Sequence, residues 1–335
     1  MIAALSLMLA LRDDWISPKT NAQLLDDLVA MKEDDVFGLF GDGSFDFRAD
    51  RYEGHWALQY VPKKGNPSSM ELLVARGADA VPYLASQLSS TQPTVVTFGS
   101  SPFSSVWLSD LYDPRVREVG VDEIYPDADA SEADGAVFKE HTFCRGDIAY
   151  LALGQIVNRW YGRFSAQNTA IGSPPKHPKL LRRAQAEWGS LTREDLRQVL
   201  RTDMLKPDSD ERMSNALCRY RTYFPEDAVR MAVECLKTSY GKWAPGDRSP
   251  DWFFIDQLKP IACEEIDKVC YDILTKTLKQ NHFIIDYEDC KGYILSYLKD
   301  RPGYREKCFA FARKHENEKT REGYDCKDFL MKNRQ

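Results

Sequence analysis

The residues best placed for chemistry lie in one run, Gly146-Asp-Ile-Ala-Tyr-Leu-Ala-Leu-Gly-Gln-Ile-Val-Asn-Arg-Trp160. Wound as a helix, it sets Ala149, Leu153, Ile156, Val157 and Trp160 on one face. Ile148 and Leu151 fall on the opposite face with Gln155, Asn158 and Arg159. Apolar residues on both faces predict a helix buried on two sides. Gln155, Asn158 and Arg159 then extend a buried stripe, and buried polar groups require partners. One reading is a polar binding pocket formed by Asp147, Gln155, Asn158, Arg159 and Arg163. The other is that these side chains satisfy backbone groups of neighbouring loops, and it is favoured because most side-chain hydrogen bonds go to backbone or water. Arg145 and Arg163, near the helix ends, would suit an anion, although solvated surface charge explains them as well.

Other constellations carry less. Asp42, Ser44, Asp46, Asp50 and Glu53 occupy positions 1, 3, 5, 9 and 12 of a calcium-loop frame. Position 6, where the sharp turn needs glycine, is Phe47, so an acidic turn is the better account. The five histidines, His55, His141, His177, His282 and His315, include no pair at helical metal-ligand spacing. His141 and Cys144 are three apart, which raises a Cys–His nucleophile, but sequence gives no group to orient the base. No phosphate-loop, dinucleotide or hydrolase-elbow motif is present. No cofactor or metal is implied. Aromatics interleave with arginines in Arg159-Trp-Tyr-Gly-Arg163-Phe and Arg219-Tyr-Arg-Thr-Tyr-Phe224, a pattern suited to stacking bases or gripping a protein partner, with a core role favoured at helical spacing.

The elements that hold these residues follow from composition and pattern. At 335 residues the chain suits two domains or an extended repeat array, and 43% hydrophobic with 29% charged residues excludes global disorder. Charge is uneven: residues 1–143 hold 23 acidic against 11 basic side chains, and residues 144–335 hold 28 against 34. The basic residues are scattered among acids, which favours mutual docking of the halves over a nucleic-acid face. Seven of the eight cysteines follow residue 217 and none forms C-x-x-C, so buried thiols are expected. The apolar run within residues 1–11 is too short to span a bilayer, and no Lys or Arg precedes it. A buried first helix in a cytoplasmic protein is favoured over an export signal, and no integral membrane segment is expected.

Helical periodicity opens at Asn21, the expected N-cap, and ends near Gly38. A short strand is expected near His55 to Val61. Ser68 to Leu88 predict a helix ending at Gly77 and a second starting near Asp79, with Pro82 in its first turn and Val81, Leu84 and Leu88 on one face. Helix, Gly-Ala turn and Val-Pro-x-Leu helix together resemble a HEAT repeat over about twenty residues. Thr94–Phe98 and Val106–Leu108 read as strands, Asp110–Asp134 as an acidic loop, and Ala136–Phe143 as a returning strand. A helix from Ile148 to about Tyr161, N-capped by Asp147, follows, and then a Pro-rich loop. Helices are expected at Lys179–Trp188 and after a capping-box-like Thr192-Arg-Glu-Asp195. Pairs then recur at Ser214–Tyr223 with Ala228–Lys237, Trp252–Leu258 with Ile261–Leu278, and Cys290–Leu298 with Tyr304–His315.

The expected fold is mainly α, an irregular α-solenoid of helix pairs resembling HEAT repeats, with a small β-containing insertion. Three regions follow: 1–90 helical, 91–143 inserted, and 144–335 helical-repeat. The resemblance implies a non-enzymatic scaffold that binds a protein or peptide. A hydrolase-type enzyme with its site where insertion meets helices is the second reading. A nucleic-acid-binding repeat protein is the third and least favoured.

Overall fold

The computed structural model describes residues 17–30, 69–99, 105–108, 136–138, 140–159, 161–164, 168–171, 173–176, 178–206, 210–240, 252–275, 290–317 and 321–333. The apolar run at 1–11, the Asp42–Glu53 frame, the expected strand at 55–61 and the acidic loop at 110–134 lie outside them. The described residues are mainly helical, with thirteen α-helices and six short strands. By internal contacts the chain divides into two units, Met1–Arg197 and Gln198–Gln335.

In the first unit, α1 (Asn21–Val29), α2 (Ser69–Ala75) and α3 (Val81–Gln87) precede the strands. Thr20, not Asn21, caps α1: its hydroxyl accepts the Gln23 N–H while the Gln23 side chain accepts the Thr20 N–H. The α2–α3 turn falls where expected, with a 3-10 turn at Gly77–Asp79 between the end of α2 at Ala75 and the start of α3 at Val81. Gly77 adopts φ +57°, where a side chain would be strained, and Pro82 lies in the first turn of α3.

Strands β1 (Pro93–Gly99) and β4 (Glu140–Cys144) pair antiparallel as one two-stranded sheet. A second sheet runs β3-β2-β6-β5, built from β2 (Ser105–Leu108), β3 (Ala136–Phe138), β5 (Gly162–Phe164) and β6 (Asn168–Ile171). Its β2–β6 pairing is parallel and joins the segment before the central helix to the segment after it. Strand structure therefore extends past residue 143.

That central helix, α4 (Arg145–Val157), packs against α1, α2, α3, β4 and the 3-10 turn Pro174–Lys176. Twelve of its thirteen residues are buried, with Gln155 the exception. A helix apolar on both faces is stable only when enclosed, so the doubled hydrophobic pattern and the enclosure are one fact. Helix α5 (Pro178–Trp188) packs on α3 and on the 3-10 turn. Helix α6 (Arg193–Leu205) starts at the expected Thr192–Asp195 capping box and carries the boundary between the units.

The second unit continues with α7 (Asp210–Tyr223), α8 (Ala228–Tyr240), α9 (Trp252–Leu258), α10 (Glu264–Thr275), α11 (Cys290–Leu298), α12 (Arg305–His315) and α13 (Arg321–Lys332). Helix α7 packs on α8 and α9, α8 on α10, and α9 on α11. Helix α11 in turn meets α10, α12 and α13, and α12 packs on α13. Leu217, Leu236, Phe254, Cys270, Leu295 and Cys308 supply fully buried side chains along this series. Among the described residues, no helix is long and apolar enough to cross a membrane.

Candidate functional site

Asp147 is not the N-cap of α4; Cys144 is, and Asp147 stands at the third helical position. There its carboxylate reaches back and accepts the Cys144 backbone N–H at 3.0 Å and the Cys144 thiol at 3.2 Å. Its other oxygen accepts the Ser173 hydroxyl at 2.6 Å. Asp147 is fully buried, so these donors replace the water a carboxylate loses on burial. The arrangement ties β4, α4 and the Pro-rich turn at one point. Burial pushes the Cys144 thiol up to about 12, and the adjacent Asp147 charge adds to the rise. A thiol so protonated is a poor nucleophile, which counts against a Cys144–His141 pair. The His141 side chain lies outside the described residues.

The neighbouring Arg145 is buried and makes three contacts. Its Nε donates to Gln87 Oε1 at 3.0 Å, one Nη to Asp26 Oδ1 at 2.5 Å and the other to the Tyr83 hydroxyl at 2.9 Å. These join α4 to α1 and α3. Gly146 permits the approach: a Cβ there would stand 2.5 Å from Pro175 Cγ and 2.6 Å from the Leu88 carbonyl oxygen.

Gln155, Asn158 and Arg159 gather at the other end of α4. Eleven residues separate Asn158 from Asp147, about 16 Å of helix, so Asp147 does not join them. Asn158 ends the helix in the left-handed region at φ 60°, which stops α4 short of the expected Tyr161. Asparagine tolerates that conformation better than other non-glycine residues. Arg159 is buried and donates from Nη1 to the carbonyls of Val157 and Asn158 at 3.2 and 2.8 Å. Its guanidinium lies 5.9 Å from the Trp188 ring. The Trp188 indole N–H donates to the Tyr161 hydroxyl at 2.9 Å, and Tyr161 stacks on Tyr150 at 3.9 Å. Arg163 belongs to β5, and its side chain lies outside the described residues.

The pattern reading overlooked a buried polar series on α7. Arg212, Ser214, Asn215 and Arg219 are all buried, although this helix is rich in polar residues. Arg219 is fully buried and donates to the Asn215 carbonyl at 3.0 Å. Neither amide atom of Asn215 has a hydrogen-bond partner among the described residues. The mixed run of arginines and aromatics was the available signal. Its aromatics are core: Tyr220, Tyr223 and Phe224 are buried and in ring contact. Helix α13 was also not expected, although Cys326, Phe329 and Leu330 bury one face of Arg321–Lys332 at helical spacing.

Among the described residues, the hydrogen bonds at both ends of α4 run to neighbouring elements and to the backbone. No group of three or more potential metal ligands occurs among the described residues. Comparison finds no matching family model, no matching curated protein and no matching solved structure. The likeness to HEAT repeats rests on the Ser68–Leu88 pattern alone.

Proposed function

We propose that this protein is a non-enzymatic interaction module whose helix pairs present a surface to a protein or peptide partner. The observation that carries the reading is the packing order of the second unit. Helices contact their second neighbours in sequence, α7 with α9, α8 with α10, α9 with α11 and α11 with α13. Second-neighbour packing, continuous along the row α7-α9-α11-α13 and limited to α8–α10 in the other row, fits an irregular α-solenoid, whose extended faces serve binding. A supporting observation is that the buried polar groups at the two ends of α4 bond to side chains of neighbouring elements and to the backbone, at points far apart along the helix.

The test uses the full chain as bait in its native lysate, with bound proteins quantified by mass spectrometry. Charge reversal at the exposed pair Glu265 and Lys268 on α10 probes one row, and reversal at Lys327 and Asp328 on α13 the other. A saturable partner lost on one reversal and kept on the other, with the melting temperature unchanged, supports the reading. Turnover of a substrate, or nucleic-acid affinity that falls steeply with salt, overturns it.

A further inference from the structure

Tyr271 on α10 and Tyr304 at the start of α12 form an aromatic corner, their ring centroids 5.5 Å apart and their planes at 59°. The Lys307 ammonium occupies it, 4.7 Å from the Tyr304 centroid and 5.3 Å from that of Tyr271. Each ring presents the negative face of its quadrupole, and such surfaces attract alkylammonium groups. Lys307 is exposed and, among the described residues, has no carboxylate partner.

Glu264, Asp267 and Asp272 nevertheless share α10 with Tyr271. Burial raises the Tyr304 hydroxyl pKa, and the charges of Asp267, Glu264 and Asp272 raise it further. Asp267 is already committed, accepting the Tyr297 hydroxyl at 2.8 Å and Arg301 Nε at 3.0 Å. Glu264 and Asp272 are exposed and form no ion pair among the described residues. Two rings at an angle, two uncommitted acids and a cation already lodged between the rings define one chemistry.

We infer that the Tyr271–Tyr304 corner is a recognition site for a lysine-type ammonium of a partner peptide, held by Lys307 until the partner's cation displaces it. The inference rests on the interaction-module reading and narrows the partner to a basic segment. A lysine stem adds apolar contact to the rings, and Glu264 and Asp272 complement the peptide's other charges. Methylation of the incoming lysine would strengthen the contact, because a methylated ammonium loses less hydration on reaching an aromatic face.

The probes are two short peptides, Ala-Lys-Ala with blocked ends and its trimethyl-lysine counterpart, titrated calorimetrically into the full chain. Lys307→Met removes the resident cation and should tighten binding by about twofold to fivefold, the worth of one exposed cation–π contact. Tyr271→Ala in the Lys307→Met background should abolish that gain, whereas Tyr271→Phe, which keeps the ring, should retain it. Circular dichroism confirms that each variant is folded. Equal affinity of Lys307→Met and the natural chain for both peptides overturns the inference, as does a gain that survives Tyr271→Ala. Preference for the trimethyl peptide identifies a methyl-lysine site, and equal affinity an unmodified one. Failure here leaves partner capture in lysate untouched, so the wider reading and this one fall separately.

Discussion

The Arg145 guanidinium meets the Asp26 carboxylate at 2.5 Å across 119 residues of sequence. Asp26 is more than half exposed, so the ion pair itself contributes little. The weight lies in the partly buried bonds to Gln87 and Tyr83. Arg145→Met should destabilise the first unit by about 1–3 kcal/mol, the cost of leaving such groups without a partner. Asp26→Asn should cost under about 1 kcal/mol. Urea denaturation of both variants checks the ranking, and an Asp26→Asn loss as large as that of Arg145→Met would contradict it.

Gly146 and Gly154 lie in a helix, where alanine is ordinarily better by about 1 kcal/mol. Here the sign reverses. A Cβ at Gly154 would stand 2.5 Å from the Arg159 carbonyl oxygen and 2.9 Å from Tyr161 Cδ2, and Gly146 is as tightly enclosed. Each Gly→Ala variant should lose about 1–3 kcal/mol through overpacking. A melting temperature equal to or above that of the natural chain for either variant would show that the neighbours yield.

Stability should fall at alkaline pH through Cys144. Burial, then the Asp147 charge, lifts its thiol to about 12, against about 8.5 in an unfolded chain. Between those values the unfolded state has released a proton that the folded state retains, so stability drops as pH rises. The contribution is complete below the unfolded value and lost as pH passes the folded one. Cys144→Ala should flatten the decline of the urea midpoint from pH 8 to 11. The Cys308 thiol, also raised to about 12 by burial, supplies the same trend in the second unit and must remain in both proteins.

Asn215 is fully buried, with both amide atoms lacking partners among the described residues. An unsatisfied buried amide costs about 1–3 kcal/mol, so replacing it with an apolar residue of similar size removes that cost. Asn215→Leu should therefore be neutral or stabilising by thermal melting. A loss above about 2 kcal/mol would mean that the amide is bonded in the folded protein.

Much of the helical pattern was legible from local signals. Gly77 supplied the left-handed turn, Thr192 and Asp195 the capping box, and the β-branched run Thr94–Phe98 a strand. The doubled apolar faces of residues 148–157 announced an enclosed helix, and the helix is enclosed. These signals are legible because each is written in residues a few positions apart. The site was less legible for the same reason: Asp147, Asn158 and Arg159 share a helix in sequence yet stand at its two ends.

Sequence alone determined that the chain is mainly helical, that α4 is buried and that its polar residues need partners. Tertiary structure decided who those partners are. Ser173 for Asp147, Asp26 for Arg145, Trp188 for Arg159 and β6 for β2 are all choices made across long stretches of chain. Periodicity fixes which side of an element is apolar, because that depends only on the twist of the local backbone. It carries nothing about which distant segment covers that side, because that depends on the path of the whole chain and on how its buried polar groups are jointly satisfied.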